Sequence, residues 1–249
     1  MKKIGIVGFG FVGQAIYSSF KDTSQVFVYD KYKEQFNDQD ILLDCDFLFI
    51  CVPTPTTNGE QDASVIDDVF YYLTRKKYQG ICIVKSTVLL SNIEPWLGKL
   101  NIVMNPEFLN QNTASEDFMH QKLIILGGEA TDCCDVRELY NECFCLPGAT
   151  YQFTSIEEAI NFKYIHNTYH AYQVLFWNYV QESIGNSRKY VLFYEKLYGR
   201  KPILSQIAPD GKLGYGGKCF PKDVTALNDE KPHMLTEFMC TFNKKLRPK

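Results

Sequence analysis

Cys219 is the residue of this chain best placed to act as a nucleophile. It stands in the run Gly214-Tyr215-Gly216-Gly217-Lys218-Cys219-Phe220-Pro221-Lys222-Asp223, between two lysines and four residues before an aspartate. Cationic neighbours favour the thiolate, which is the reactive form of a cysteine. The glycines admit a ligand close to the backbone, where a side chain would block it. Pro221 suits a first helical turn, and a helix starting there sets Cys219 at its positive end. A buried structural cysteine in a glycine turn is the competing reading of the segment taken alone.

A second signal stands at the other end of the chain. Lys3-Ile4-Gly5-Ile6-Val7 reads as a short buried strand running into Gly8-Phe9-Gly10-Phe11-Val12-Gly13, a turn that opens a helix from Val12 to Phe20. A second strand, Gln25 to Tyr29, ends in Asp30, 22 residues after Gly8. Strand, G-x-G-x-x-G turn, helix, strand and an acid at that distance make a dinucleotide-binding fingerprint. Gly8 makes the tight turn, Gly10 admits the pyrophosphate to the helix N-terminus, and Gly13 lets helix and strand pack closely. Asp30 would accept hydrogen bonds from the adenosine ribose, which favours NAD over NADP. Lys31 and Lys33 leave room for a 2′-phosphate.

The elements that must position these two turns follow from the pattern between them. The 249 residues suffice for one large domain or two modest ones, and 45% hydrophobic residues support an ordinary core. A net charge of −3 gives no pull toward nucleic acid or membrane. Further strands are expected at Phe47–Val52, Ile81–Lys85, Asn101–Met104 and Lys122–Leu126, with helices between them at Ser64–Lys77 and Asp132–Cys143. Near-continuous apolar runs alternating with helices predict an α/β fold, a Rossmann-type doubly wound parallel sheet, over residues 1–153. A small all-helical domain over 154–249 should follow. Ser155-Ile156-Glu157-Glu158 is a capping box, and it opens a Gly- and Pro-free helix running to about Ile184. The aromatics of that helix (Phe162, Tyr164, Tyr169, Tyr172, Phe176, Trp177) exceed one stripe. Contact with a second subunit would explain them, and so would core packing within one chain. Shorter helices are expected at Lys189–Tyr198, Lys222–Asn228 and Met234–Lys245.

Nine cysteines in irregular spacing, with no plausible secretory signal, point to reduced thiols in a cytoplasmic setting. Cys133-Cys134 and Cys143-x-Cys145 lack the paired spacing of a zinc site and read as packing or surface thiols. His166 and His170 are four apart, but the glutamate of H-E-x-x-H is missing, so no metal is expected.

Besides the first glycine turn, three segments fall just past the carboxyl ends of expected strands: Cys51-Val52-Pro53-Thr54-Pro55-Thr56, Lys85-Ser86-Thr87-Val88 and Asn105-Pro106-Glu107-Phe108-Leu109. Open α/β sheets bind ligands at that edge. On the long helix, Lys163 and Asn167 are four apart and share a face. If that face meets the ligand, the lysine could hold a developing oxyanion and the asparagine donate a hydrogen bond.

Taken in order, GFGFVG, CVPTPT, KSTV, NPEFL, the Lys163/Asn167 pair and GGKCFPKD resemble the UDP-glucose/GDP-mannose 6-dehydrogenase family, from the N-terminus to about Asn228. The last motif is highly specific. The resemblance implies oxidation of a sugar-nucleotide C6 alcohol to a carboxylate with two NAD⁺, through a covalent cysteine adduct. It implies Cys219 as nucleophile, Asp223 as the carboxylate orienting hydrolytic water, Lys163 and Asn167 as oxyanion stabilisers, and Thr87 and Glu107 as holders of the water network. The cofactor would lie against Gly8, Phe9, Gly10, Phe11, Val12, Gly13, Asp30, Val52, Pro53, Thr54, Ser86 and Thr87. The substrate would meet Phe108, Leu109, Lys163, Asn167, Tyr215, Gly216 and Gly217. UDP-glucose and a homodimer built through the long helix are the implied partners.

Three features depart from the family pattern. The chain stops at Lys249, where members continue into a second nucleotide-binding domain, so it reads as a shortened form. Asn110-Gln111-Asn112 replaces an acid-containing continuation. Arg200 is the nearest stand-in for an arginine that precedes the glycine loop. A dehydrogenase of a different or smaller sugar nucleotide remains an alternative, as does a catalytically weak nucleotide-binding or scaffold protein.

Overall fold

The structure, a computed structural model, describes residues 1–57, 59–143, 148–199 and 210–248, the Cys143 side chain excepted. The chain divides into two compact units, residues 1–54 with 62–161 and residues 55–61 with 162–249.

The strands are β1 (Lys3–Val7), β2 (Gln25–Tyr29), β3 (Phe47–Ile50), β4 (Thr56–Thr57), β5 (Glu60–Gln61), β6 (Ile81–Val84), β7 (Asn101–Met104), β8 (Leu123–Gly127) and β9 (Thr150–Thr154). Seven of them form one sheet in the order β2-β1-β3-β6-β7-β8-β9. The pairs are parallel except β7 with β8, which meet antiparallel at Met104 and Gly127. β8 finds its full parallel ladder on β9 instead. That last strand is absent from the expectation because Thr150-Tyr151-Gln152-Phe153-Thr154 is an edge strand without a buried apolar run.

The residues of β3 and β6 are buried throughout, as a two-sided sheet requires. Alternate residues serve opposite faces. Ile4, Ile6, Phe47, Phe49, Ile81, Ile83, Ile124 and Leu126 join one core with α1 (Phe11–Phe20), α4 (Ala114–Met119) and α5 (Ala130–Cys143). Phe20 centres it, with ring centroids 5.4 Å from Phe49 and 6.0 Å from Tyr140. Burying such a ring contributes about 1.5–3 kcal/mol, so Phe20→Ala would open the sheet-to-helix contact. α2 (Ser64–Arg75) buries Ile66, Val69, Phe70 and Leu73, and the one-turn α3 (Leu90–Ile93) buries Ile93.

α6 (Ile156–Tyr179) starts in the first unit and continues in the second. Its capping box forms: the Glu158 amide donates to Ser155 Oγ at 3.1 Å, and the Ser155 amide to Glu158 Oε2 at 3.0 Å. The α-helix is shorter than the sequence pattern suggests. It widens into a π turn at Val180–Ile184, closed by a bond from the Gly185 amide to Val180 O, and stops at Gly185 and Asn186, both at positive φ. α7 (Ser187–Tyr198), α8 (Phe220–Glu230) and α9 (Met234–Leu246) follow. Ala171, Val174 and Leu175 of α6 pack with Tyr215, Val224 of α8 and Met239 of α9. β4 and β5 pair as a small antiparallel hairpin, and Gln61 donates to the Tyr164 hydroxyl at 2.9 Å.

Of the aromatics on α6, Tyr164 and Trp177 are buried, while Phe162, Tyr169, Tyr172 and Phe176 remain exposed. With Tyr190, Phe193 and Tyr194 of α7, three of the exposed rings line an apolar groove of about 750 Å³. No helix among the described residues is long and apolar enough to cross a membrane.

Candidate active site

The first unit carries its candidate residues around the change of direction in the sheet. The chain leaves β1 toward β2 on one side and returns through β3 on the other. Loops at such a switch point leave a crevice for a ligand. Gly8 has φ +91° and lies so close to the next loop that a Cβ would stand 2.8 Å from Cys51 O. A Cβ on Gly13 would meet Gly8 O at 2.2 Å. Both glycines are therefore required by backbone packing. Gly10 differs: nothing lies within 4 Å of where its Cβ would be, and no side chain caps α1. The first-turn amides of a helix have no partner inside it. Here they face a cradle of the kind that takes a diphosphate, and the fit to a dinucleotide is good.

Asp30 adjoins that cradle. Its Oδ2 accepts from the Phe9 amide at 2.8 Å and its Oδ1 from the Tyr32 amide at 3.0 Å. Each oxygen keeps a lone pair for a ribose hydroxyl. Lys33 donates to Phe9 O at 2.7 Å, and Lys31 pairs with Asp68 at 3.3 Å.

The next two loops are tied to each other. Thr54 Oγ1 donates to Thr87 O at 2.6 Å, and Ser86 Oγ donates to Val52 O at 2.7 Å. Thr87 is half-buried. Glu107 leaves the adjacent strand, is buried, and accepts from the Leu109 amide at 2.7 Å. Phe108 and Leu109 are half-buried beside it, and Pro53 is exposed. At Asn110-Gln111-Asn112 a carboxylate still caps the turn, because Asp117 accepts from the Asn110 amide at 2.8 Å.

Beneath these loops lies a network that joins the first residues of two of the strand-end segments, Lys85 and Asn105, to which the sequence alone assigns no role. Lys85 Nζ and the Tyr140 hydroxyl both donate to Asn105 Oδ1, at 2.9 and 2.6 Å, while Asn105 Nδ2 donates to Ile125 O at 2.8 Å. Its only sequence signal is the polar pair Lys85 and Asn105 at the ends of two apolar strands. Cys51 is not a second nucleophile: burial pushes its thiol up to about 12, outweighing Lys85.

The second unit presents Cys219 at the N-cap of α8, half-buried, with Pro221 in the first turn. The Asp223 amide closes that turn on Cys219 O at 3.0 Å. Asp223 is fully buried, accepts from Asn167 Nδ2 at 2.6 Å, and pairs with Lys222 Nζ at 2.5 Å. Lys222 thus neutralises Asp223. Lys163 is buried one turn before Asn167 on α6.

The glycine loop ahead of Cys219 is clamped from α9. Asn243 accepts from the Tyr215 amide at 2.8 Å and donates to Tyr215 O at 3.1 Å. Arg247 holds Asp210 in a fork at 2.7 and 2.8 Å and lies where a Cβ on Gly216 would stand. Gly217, at φ +78°, opens to nothing within 4 Å. The Tyr215 ring lies in the unit's core, and its backbone amide and carbonyl are both held by Asn243. Cys133 and Cys134 are free thiols, while Cys145 and Arg200 lie outside the described residues.

Comparison with known proteins gives this arrangement its family. The chain is 30% identical over 215 residues to the UDP-glucose 6-dehydrogenase of Rickettsia conorii, covering 80% of this chain and 47% of that protein. It is 31% identical over 216 residues to the GDP-mannose 6-dehydrogenase of Pseudomonas aeruginosa, covering 75% and 47%. It therefore spans about half the length of the relatives it matches. A UDP-glucose dehydrogenase structure from Pyrobaculum islandicum shares the fold, with a TM-score of 0.80 at 19% identity, over 98% of this chain and 68% of that one. Residues 30–144 match the NAD binding domain of the UDP-glucose/GDP-mannose dehydrogenase family, which makes NAD the cofactor, and residues 157–241 match that family's central domain. The chain belongs to the UDP-glucose/GDP-mannose dehydrogenase family.

Proposed function

We propose that this protein oxidises the C6 alcohol of a nucleotide sugar to the carboxylate in two NAD-dependent steps, with UDP-glucose as the substrate. The observation that carries the reading is the convergence of Cys219, Asp223 and Asn167 in the second unit. Cys219 stands at the N-cap position of α8, the Asp223 amide one turn on closes on its carbonyl, and the Asn167 amide from α6 holds the Asp223 carboxylate.

NAD, when bound, takes the hydride removed at each oxidation. Gly10 and the first-turn amides of α1 would hold its diphosphate, Asp30 its ribose, and the loops of Val52–Thr54 and Ser86–Thr87 its remaining edge. The first oxidation gives an aldehyde, and its alcohol proton leaves through the water network held by Thr87 and Glu107. The Cys219 thiolate then adds to the aldehyde carbon, and the new oxyanion is stabilised by Lys163 and Asn167. The helix dipole at the α8 N-terminus favours that thiolate. Removal of the second hydride leaves a thioester on Cys219. Asp223 orients a water to attack it, releasing the carboxylate and the thiol. Covalent capture keeps the aldehyde from escaping between the two oxidations. Phe108, Leu109 and the backbone of Tyr215–Gly217 would meet the substrate.

The proposed macromolecular partner is a second copy. Tyr169, Tyr172 and Phe176 stay exposed in the α6–α7 groove, an apolar patch of a kind that marks interaction surfaces. Sedimentation of the wild type as a dimer, and of Phe176→Asp as a monomer, would support it; a monomeric wild type would refute it. Seven free cysteines among the described residues suit a reducing, cytoplasmic setting.

The test of function is a panel of nucleotide sugars followed by NADH absorbance. UDP-glucose should give the highest kcat/KM. A higher value for another nucleotide sugar would replace it as substrate, and no NADH with any would refute the reaction.

A further inference from the structure

Asn167 is held at both ends of its amide. Nδ2 donates to Asp223 Oδ2 at 2.6 Å, and Oδ1 lies 3.1 Å from His166 Nδ1. An amide oxygen only accepts, so the nitrogen facing it carries the proton, and His166 Nδ1–H is the donor. The flipped amide would set its oxygen against the Asp223 carboxylate, two acceptors with no proton between them. The polar chain therefore has one direction: His166 to Asn167 to Asp223, with Lys222 donating to Asp223 from the far side.

The imidazole is itself placed. The His170 ring meets it edge-to-face with centroids 4.1 Å apart, and His170 in turn lies 6.3 Å from the ring of Phe220, the residue after Cys219. A side-chain amide has two N–H groups. Asp223 takes one, and the other is what Asn167 can offer to a substrate oxygen. Its direction depends on the amide plane, and that terminal torsion is intrinsically broad for asparagine. One contact at Asp223 leaves the plane free to swing about it. A second contact on the opposite atom removes that freedom.

We propose that His166 is a positioning residue for the reaction, locking the Asn167 amide from its oxygen side so that its second N–H points at the developing oxyanion. This rests on the proposed oxyanion role of Asn167. Neutral His166 with its proton on Nδ1 and the imidazolium both donate this bond, so the effect of losing it should not depend on pH.

The test compares His166→Phe, which keeps a ring without a donor, with His166→Asn, which returns an N–H near the place of Nδ1. His166→Phe should lower kcat about tenfold or more at pH 6.5 and 8.5 alike, leaving KM within about twofold, and His166→Asn should recover kcat to within about threefold of wild type. Wild-type kcat in His166→Phe, or no recovery in His166→Asn, would overturn the assignment. An independent reading comes from ¹⁵N NMR of the wild-type imidazoles. His166 should carry its proton on Nδ1, and a proton on Nε2 alone would overturn the proposal without reference to turnover. If the wild type oxidises no nucleotide sugar, the functional reading fails by itself, and the spectrum still decides the hydrogen bond.

Discussion

Two glycine turns precede two helices in this molecule, and they are built in opposite ways. In Gly8–Gly13 the space beside the glycines is taken by backbone: Cys51 O crowds Gly8, and Gly8 O crowds Gly13. In Gly214–Gly217 it is taken by side chains, Asn243 beside Gly214 and Arg247 beside Gly216. Each turn then leaves one glycine, Gly10 or Gly217, open toward its helix N-terminus. A backbone-walled cradle has a shape that few substitutions elsewhere can alter. A side-chain-walled one is set by residues some thirty positions away, so substitutions there can reshape it.

The sharpest break between the two turns is Cys219→Ser. Overall oxidation should fall at least ~10³-fold, roughly 4 kcal/mol, because the hydroxyl is a far weaker nucleophile. NAD affinity, measured by titration, should be unchanged; a parallel loss would mean that the two turns are not functionally separate. Next in size is Gly13→Val, which forces a side chain against Gly8 O and should cost about 3 kcal/mol in urea unfolding. Gly10→Ala, in contrast, should leave stability within about 0.5 kcal/mol, yet weaken NAD binding by about 1.5–3 kcal/mol by obstructing the amides for the diphosphate. If both glycine variants behave alike, the distinction between packing and cradle glycines is wrong. Asn243→Ala should cost about 1–3 kcal/mol, since it strands the Tyr215 amide and carbonyl, and it should raise KM for the sugar while sparing NAD.

The smallest effect concerns His170. Burial, then His166 and Lys163, lower its pKa from 6.5 to about 4. Between those values the unfolded chain binds a proton that the native chain does not, so stability is lost as pH falls from about 6.5 toward 4. Urea midpoints at pH 7 and 4.5 should differ less in His170→Phe than in the wild type. An equal acid loss in both would remove His170 from the explanation.

The same contrast explains what could be read from the sequence. The first turn was legible because its parts are contiguous and its walls are strands with plain apolar runs. Six strands and most helices followed from that periodicity. β9 did not, because an edge strand of alternating polar residues carries little signal, and neither did the π turn after Tyr179. In the second unit Cys219 and Asp223 stood out as a motif, but the contacts that place them did not. Asn167 reaches Asp223 across 56 residues, and Asn243 reaches Tyr215 across 28. Such pairings are made by helix packing, and nothing in local spacing announces them.

The most direct measurement is the number of NADH formed per nucleotide sugar when UDP-glucose is run to completion with excess NAD. About two per sugar, with a carboxylate product, is the outcome expected if Cys219 carries the substrate from one oxidation to the next. A count near one, with free aldehyde accumulating, would contradict a covalent thioester and leave the cysteine turn without its proposed role.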